Sequence, residues 1–333
     1  MKIAFLSIYQ NKVNRGNEIF VHEIAKRLSK SNEVTVISGD GQSQKHWSFL
    51  WRLFLDPEGI YVLVFTLKNV IRISKGKFDV IIPTNGGWQT LIVKIYCLLT
   101  GRKLVVSGQS GIGWHDRVNL FLSPNAFVAL SSKAKSWAEK AKPRVRTIYI
   151  PNGVDLTFFS NNKKIKKKKS VLCVGALVRE KRVDLVIKAV SKVPDINLIV
   201  VGEGSLKNEL VSLAKNLLPE RHKFISVSHD RMPEIYHSAD LFTLVPQKSE
   251  AFGIVYVEAL ASGLPVVAID DQTRREIIGD AGLFVKNPED TEEFSNKIKR
   301  ALGTKWGNKP HKQAEKFDWD NIAGQYEQLF KKL

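Results

Sequence analysis

Residues Ser249–Ile269 read SEAFGIVYVEALASGLPVVAI. Two carboxylates, Glu250 and Glu258, stand eight positions apart, with Gly253 between them and an apolar run, PVVAI (Pro265–Ile269), behind. Another apolar run, LFTLV (Leu241–Val245), comes just before. Short apolar runs bounded by turn residues read as buried parallel strands. Between these two, Glu250 falls in a loop and a helix starts near Gly253. The free N–H groups of its first turn, from Phe252 through Gly253 and Ile254 to Val255, make an anion site. A diphosphate seated there puts its ribose near Glu258, whose carboxylate accepts two hydroxyl hydrogen bonds. The sugar on the other side of the diphosphate reaches Glu250. The plain alternative is a pair of solvated helix carboxylates. It explains either glutamate alone better than both in this setting.

The strand–helix alternation runs outward from this stretch in both directions. Upstream in the same half lie VLCVG (Val171–Gly175), INLIVVG (Ile196–Gly202) and KFISV (Lys223–Val227), with helical patterns near 182–193, 205–217, 232–238, 253–262 and 289–302. The first half repeats the theme with strands at Lys2–Tyr9, Val34–Ser38, Asp79–Pro83, Lys103–Ser107, Ala126–Leu130 and Val145–Ile150. Phe20, Val21, Ile24, Ala25 and Leu28 form one helical face there. TLIVKIYCLL (Thr90–Leu99) is apolar nearly all round and is expected to be well buried. Two such blocks imply an α/β protein of two doubly wound domains, with ligands beyond the carboxyl ends of the strands, in a cleft where the two face each other. The last segment, Phe317–Phe330, is an amphipathic helix with Trp319, Ile322, Tyr326 and Leu329 on one side. It is expected to return to the first domain. The expected domains are thus 1–152 with 317–333, and 153–316.

Composition narrows the class. The chain has 333 residues, 44% hydrophobic and 25% charged, which suffices for real cores. Its two cysteines, Cys97 and Cys173, make neither a disulfide framework nor a four-ligand zinc site. They read as buried hydrophobes in a reducing cytoplasm. No uncharged apolar run reaches the ~18 residues of a membrane span, and MKIAFLSIYQ reads as a first strand rather than a signal peptide. The formal net charge is +18. Residues 1–152 carry 22 Lys and Arg against 9 Asp and Glu, a net of +13; residues 153–333 carry 29 against 24, a net of +5. The excess points to an anionic partner for the first half.

The Glu250–Glu258 segment resembles the paired-glutamate signature of retaining glycosyltransferases of family 4, the group 1 glycosyl transferases with the GT-B fold. Other stretches resemble that family in order. PNGVDLTFF (Pro151–Phe159) is similar to its domain-junction motif. VGALVREKRVDLVIKA (Val174–Ala189) is similar to its diphosphate-binding segment, with Lys181 at the phosphate lysine. VGEGSLKNEL (Val201–Leu210) resembles its second glycine loop, with Gly202, Glu203 and Gly204 beside the donor. The resemblance implies a GT-B architecture of two Rossmann-like domains. It also implies transfer of a hexosyl group from a nucleotide-sugar to a glycan or lipid-linked acceptor, with retention and without a metal or other cofactor. Lys181 would stabilise the leaving diphosphate, Glu250 would position the donor sugar and Glu258 would hold the ribose.

The first half departs more from that pattern. NRGNEIFVHEIAKRL (Asn14–Leu28) resembles the family's loop after the first strand, with Gly16 and Glu18 matching and Arg15 in place of a glycine. Ala176 stands where the diphosphate segment usually has an arginine, and Arg179 or Arg15 is the candidate replacement. The family often has a histidine after the strand represented by KLVVS. Here the chain reads KLVVSGQSGIGWHDR, so His115, Gln109 and Asp116 are the candidates for catalytic and acceptor contacts. Each reads equally well as a surface loop residue. Gly108, Gly111 and Gly113 suggest a flexible loop.

KHWSFLWRLFLDPEGIYVLVF (Lys45–Phe65), with Lys68, Arg72, Lys75 and Lys77 behind it, reads either as a surface for an anionic membrane or as a helical insert packed into its own core. The six lysines between Lys163 and Lys169 read as a solvated linker. No Asp-x-Asp metal motif ends a strand, since Asp270 and Asp271 are adjacent. Two other functions fit less. An epimerase of GT-B-like fold would not need an acceptor. A nucleic-acid-binding protein would use the charge, but no recognition motif accompanies it.

Overall fold

The computed structural model describes residues 1–13, 15–39, 47, 50–160, 169–247 and 250–333. Within these the chain divides into two compact units, 1–152 with 319–333, and 153–318. Most of the lysine run, Lys163–Lys168, lies outside the described residues, as do Asn14 and Ser249.

In chain order the first unit contains β1 (Lys2–Leu6), α1 (Gly16–Leu28), β2 (Glu33–Ile37), α2 (Pro57–Gly76), β3 (Val80–Pro83), α3 (Trp88–Thr100), β4 (Lys103–Ser107), α4 (Trp114–Phe121), β5 (Ala126–Ala129), α5 (Ser132–Ala141) and β6 (Thr147–Tyr149). The second contains α6 (Leu156–Ser160), β7 (Ser170–Val174), α7 (Val183–Ser191), β8 (Asn197–Val201), α8 (Lys207–Leu217), β9 (His222–Ile225), α9 (Met232–His237), β10 (Leu241–Leu244), α10 (Ile254–Ala261), β11 (Val266–Ile269), α11 (Gln272–Ile278), β12 (Gly282–Val285), α12 (Thr291–Gly303) and α13 (Lys309–Ala314). Helix α14 (Trp319–Lys331) completes the first unit.

Each unit holds one six-stranded parallel sheet. The order in the second is β9-β8-β7-β10-β11-β12, that of a dinucleotide-binding sheet, whose order reverses between β7 and β10. In the first it is β2-β1-β3-β4-β5-β6, with the reversal between β1 and β3. The strands are apolar on both faces because helices cover both, so β7, β10 and β11 are buried throughout.

The C-terminal helix has the expected face. Trp319, Ile322, Tyr326 and Leu329 are all buried. Trp319 and Tyr326 meet Phe20 of α1 at 6.4 and 5.7 Å between ring centroids. The return to the first unit falls two residues later than expected. Phe317 packs on Phe252 (5.8 Å), its carbonyl accepts from Val154 N at 2.8 Å, and Asp318 bridges Val154 in parallel register. These contacts keep the segment through Asp318 on the second unit.

Two expectations fail. Strand β12 has no counterpart in the sequence reading, because it opens on a glycine and, at the sheet edge, only its last residue, Val285, is buried. Helix α3 is not well buried: only Gln89, Thr90, Val93 and Cys97 are buried, while Ile95, Leu98 and Leu99 are 50%, 69% and 82% exposed. Its neighbour α2 also turns apolar side chains outward, Ile60, Val64, Leu67 and Ile71, at spacings of four, three and four. The insert is therefore neither wholly packed nor wholly polar outside.

Candidate active site

Topology assembles the site of the second unit. The connections after β7 and β10 leave the sheet side by side, where its order reverses. The first carries a single 3-10 turn, Arg179–Lys181. The second carries Glu250. The Lys181 ammonium and the Glu250 carboxylate form a close ion pair, both side chains partly buried. Backbone bonds hold the two connections together. Gln247 N donates to Glu180 O at 2.8 Å, and Arg182 Nε donates to Val245 O at 2.9 Å.

Arg274 of α11, buried to 2% exposure, fixes the Glu250 loop from beneath. Its guanidinium pairs with Asp271 at 2.8 Å and donates to the carbonyls of Glu250 and Phe252 at 3.3–3.4 Å. Asp271 also caps α11, accepting from Arg274 N at 2.9 Å, while Asp270 pairs with Arg275. Both adjacent acids thus have structural employment. Among the described residues no cluster of three or more His, Cys, Asp or Glu is placed to ligate a metal ion.

Helix α10 begins after Gly253, which sits at φ +87°, where a Cβ would come within 2.7 Å of the Tyr256 ring. Buried Phe252 anchors the turn. The amides of Ile254 and Val255 have no acceptor among the described residues, which leaves the positive end of the helix open to an anion.

Glu258 lies on the second turn and is 4% exposed. Tyr236 donates its hydroxyl to one oxygen at 2.7 Å, and His229 Nε2 lies 3.4 Å from the other. Burial first, then the neighbouring carboxylate, pushes the Tyr236 phenol well up, which keeps it a donor. His229 is stacked on Phe158 at 5.7 Å and meets Phe159 edge-on at 6.0 Å.

The second glycine loop is built by contact with the first. Gly175 N donates to Val201 O, Leu177 N to Glu203 O and Leu206 N to Leu177 O, all at 2.8–3.0 Å. A Cβ on Gly202, at φ +152°, would lie 1.9 Å from Gly175 O, and one on Gly204 would lie 2.4 Å from Leu177 O. The Glu203 carboxylate pairs with Lys207 at 2.8 Å, which lowers its pKa. Arg179 is exposed.

Gly16, Gln109, His115 and Asp116 belong to the first unit. Gly16 opens α1, with Arg15 at its cap position. Gln109 and Asn152 exchange amide hydrogen bonds of 2.9 and 3.2 Å. The His115 ring is stacked on Trp51 at 5.7 Å and meets the edge of Phe54 at 5.3 Å. Asp116 is buried, and burial pushes its carboxyl up to about 8 against hydrogen bonds from the Ser110 and Gly111 amides and Asn119. The glycine loop is therefore fastened by Asp116 rather than free. A Cβ on Gly108 would crowd Phe127 at 2.8 Å and Asp116 at 3.0 Å.

Tyr236, His229, Arg274 and Phe158 are site residues that the sequence reading did not single out. Tyr236 lies within the helical pattern near 232–238, and the Asp271–Arg274 spacing is a helix-cap pattern, so both had a signal. Phe158 lies within the PNGVDLTFF motif, and His229 had no signal.

Residues 155–317 match the family model described as glycosyl transferases group 1. An exopolysaccharide phosphotransferase of Streptomyces coelicolor is 33% identical over 63% of this chain, which spans only 23% of that protein's length. A lipopolysaccharide 1,2-N-acetylglucosaminetransferase of Salmonella typhimurium is 24% identical over 94% of this chain and 93% of its own. The structure of HepE from Anabaena in complex with UDP and glucose superposes with a TM-score of 0.76 and 21% identity, over 100% of both chains. That likeness shows the fold class, two Rossmann-like units of the GT-B kind.

Proposed function

We propose that this chain, whose residues 155–317 match the group 1 glycosyl transferases, moves a hexosyl group from a nucleotide-sugar to a glycan or lipid-linked acceptor, with retention and without a metal ion. The observation that carries this reading is the Lys181–Glu250 pair at the sheet's reversal point, beside the open amides of α10. The relatives that transfer sugars, and a fold neighbour holding UDP and glucose, support it.

The donor diphosphate sits on the Ile254 and Val255 amides and takes Lys181 from Glu250. Glu250, released, accepts hydrogen bonds from the donor sugar and orients it. Glu258 accepts from the ribose through lone pairs that Tyr236 and His229 leave available. The bond from the anomeric carbon to phosphate oxygen breaks, and the acceptor oxygen bonds to that carbon on the same face. The acceptor proton passes to the departing phosphate oxygen. Lys181 and the amides stabilise the charge that develops there, the term that dominates many such reactions.

The exposed apolar stripe of α2 and the apolar end of α3, with Lys68, Arg72 and Lys75 exposed on α2, are read as the part of the first unit that rests on an anionic membrane. No described helix is long and apolar enough to cross one.

A thermal-shift screen of the full chain against UDP-, GDP- and ADP-sugars tests the donor reading. One class should raise the melting temperature, since a ligand at a hundredfold excess over Kd adds about 2.7 kcal/mol to stability. Glu258→Ala should abolish the rise. No shift with any donor refutes the proposal. Conversion of the donor to its epimer without acceptor would make the chain an epimerase instead.

A further inference from the structure

The first unit contains a cavity of about 290 Å³ lined by Arg52, Ile112, Gly113, Trp114, Arg117 and Trp137. We infer that it binds a sugar residue carrying a carboxylate or a phosphate. Where the sugar is part of the acceptor, the inference rests on the transferase reading; the binding itself does not.

The cavity lies among connections that follow the carboxyl ends of β2, β4 and β5, where open parallel sheets bind ligands. Arg52 comes from the 3-10 turn Trp51–Leu53, Ile112–Trp114 from the entry to α4, and Trp137 from α5. These pieces are fixed to one another. Trp114 Nε1 donates to Arg52 O at 2.6 Å. His115 locks the 3-10 turn to α4 by stacking on Trp51, and Trp137 is edge-on to Phe127 at 6.4 Å. His115 therefore positions this wall. Trp114 and Arg117 are three apart on α4 and share a face that lines the cavity, while Asp116 turns inward beneath the glycine loop.

The lining chemistry is selective. Two indoles offer flat apolar faces of the kind that pack against the C–H face of a pyranose. Two guanidiniums stand with them, and no carboxylate lines the cavity. Among the described residues neither guanidinium has an ion-pair partner; Arg52 lies over the Trp51 ring at 5.5 Å. A guanidinium fork matches a carboxylate or phosphate in two parallel hydrogen bonds. A neutral sugar would use the indoles and leave both forks unmatched. The volume suits one ring and not a long chain.

Titrating the full chain by tryptophan fluorescence tests the inference with four probes: methyl β-D-glucuronide, glucose 6-phosphate, methyl β-D-glucoside and inorganic phosphate. At least one charged sugar should bind saturably, about tenfold or more tighter than the neutral glycoside, as a charge-assisted hydrogen bond requires. Carboxylate and phosphate specificity are told apart by which of the first two binds. Arg117→Ala and Arg52→Ala should each weaken that binding about fivefold or more, with the melting temperature and the nucleotide-sugar shift unchanged. Equal binding of the neutral glycoside, phosphate binding as tightly as glucose 6-phosphate, no saturation, or indifference to both arginine variants overturns it. If the nucleotide-sugar shift survives such a result, the donor reading stands and only the pocket falls.

Discussion

Lys181 and Glu250 are 69 positions apart, yet each is the natural partner of the other. On the proposed reading the pair has a cost: a donor phosphate would compete with a partly buried carboxylate for the same ammonium. That competition would make Lys181 a group whose value rises as phosphate charge develops. Lys181→Met, which keeps the apolar stem and removes the charge, should lower turnover about 100-fold, the scale of losing one preorganised stabiliser of transition-state charge. The donor KM should move much less. Steady-state kinetics separate the two, and a loss confined to KM would mean that Lys181 contributes only uniform binding. The glutamates were legible because their spacing, glycine and flanking strands are contiguous in sequence. Lys181 was legible too, but the contacts that hold the two glutamates in place were not. Tyr236, His229 and Arg274 reach Glu258 and the Glu250 loop from other connections, and only the folded sheet brings them there.

At the scale of elements, the glycine loops show what sequence conveys and what it omits. Strand, glycine and helix in VGEGSLKNEL gave the right turn, but not its partner. Gly202 is required because its Cα faces the carbonyl of Gly175 on the neighbouring connection. Gly202→Ala should therefore cost about 1–3 kcal/mol from overpacking alone, with the left-handed φ adding to it. Calorimetry of the variant should show the second unit melting several degrees lower, at roughly 2–4 °C per kcal/mol for a unit of this size. An unchanged transition would mean that the two loops separate at no cost. Most strands were legible because parallel strands covered on both faces are continuous apolar runs. Strand β12, which opens on a glycine and buries only Val285 fully, lacked that signal. Helix α3 misled for the opposite reason: apolar residues all round imply burial only if protein covers every face, and here Ile95, Leu98 and Leu99 face outward.

At the scale of the whole molecule, charge and apolar exposure fall on the same unit. The first unit carries the +13 of residues 1–152, and its α2 and α3 expose seven large aliphatic side chains: Ile60, Val64, Leu67, Ile71, Ile95, Leu98 and Leu99. Neither feature alone would indicate a bilayer. Charge is also wanted by nucleic acid, and an apolar face by a protein partner. Together they match an anionic lipid surface, where aliphatic groups enter the headgroup boundary and cations remain among the phosphates. The full chain should co-sediment with vesicles containing phosphatidylglycerol and not with pure phosphatidylcholine. Raising salt from about 0.1 M to 1 M, which shortens the screening length from about 10 to 3 Å, should weaken that binding. A double variant, Leu67→Glu with Ile71→Glu, should abolish it without altering the nucleotide-sugar thermal shift, because both side chains are already in water. Binding that persists in the double variant would place the lipid contact elsewhere on the unit. Binding lost to salt but indifferent to those two residues would reduce the surface to charge alone.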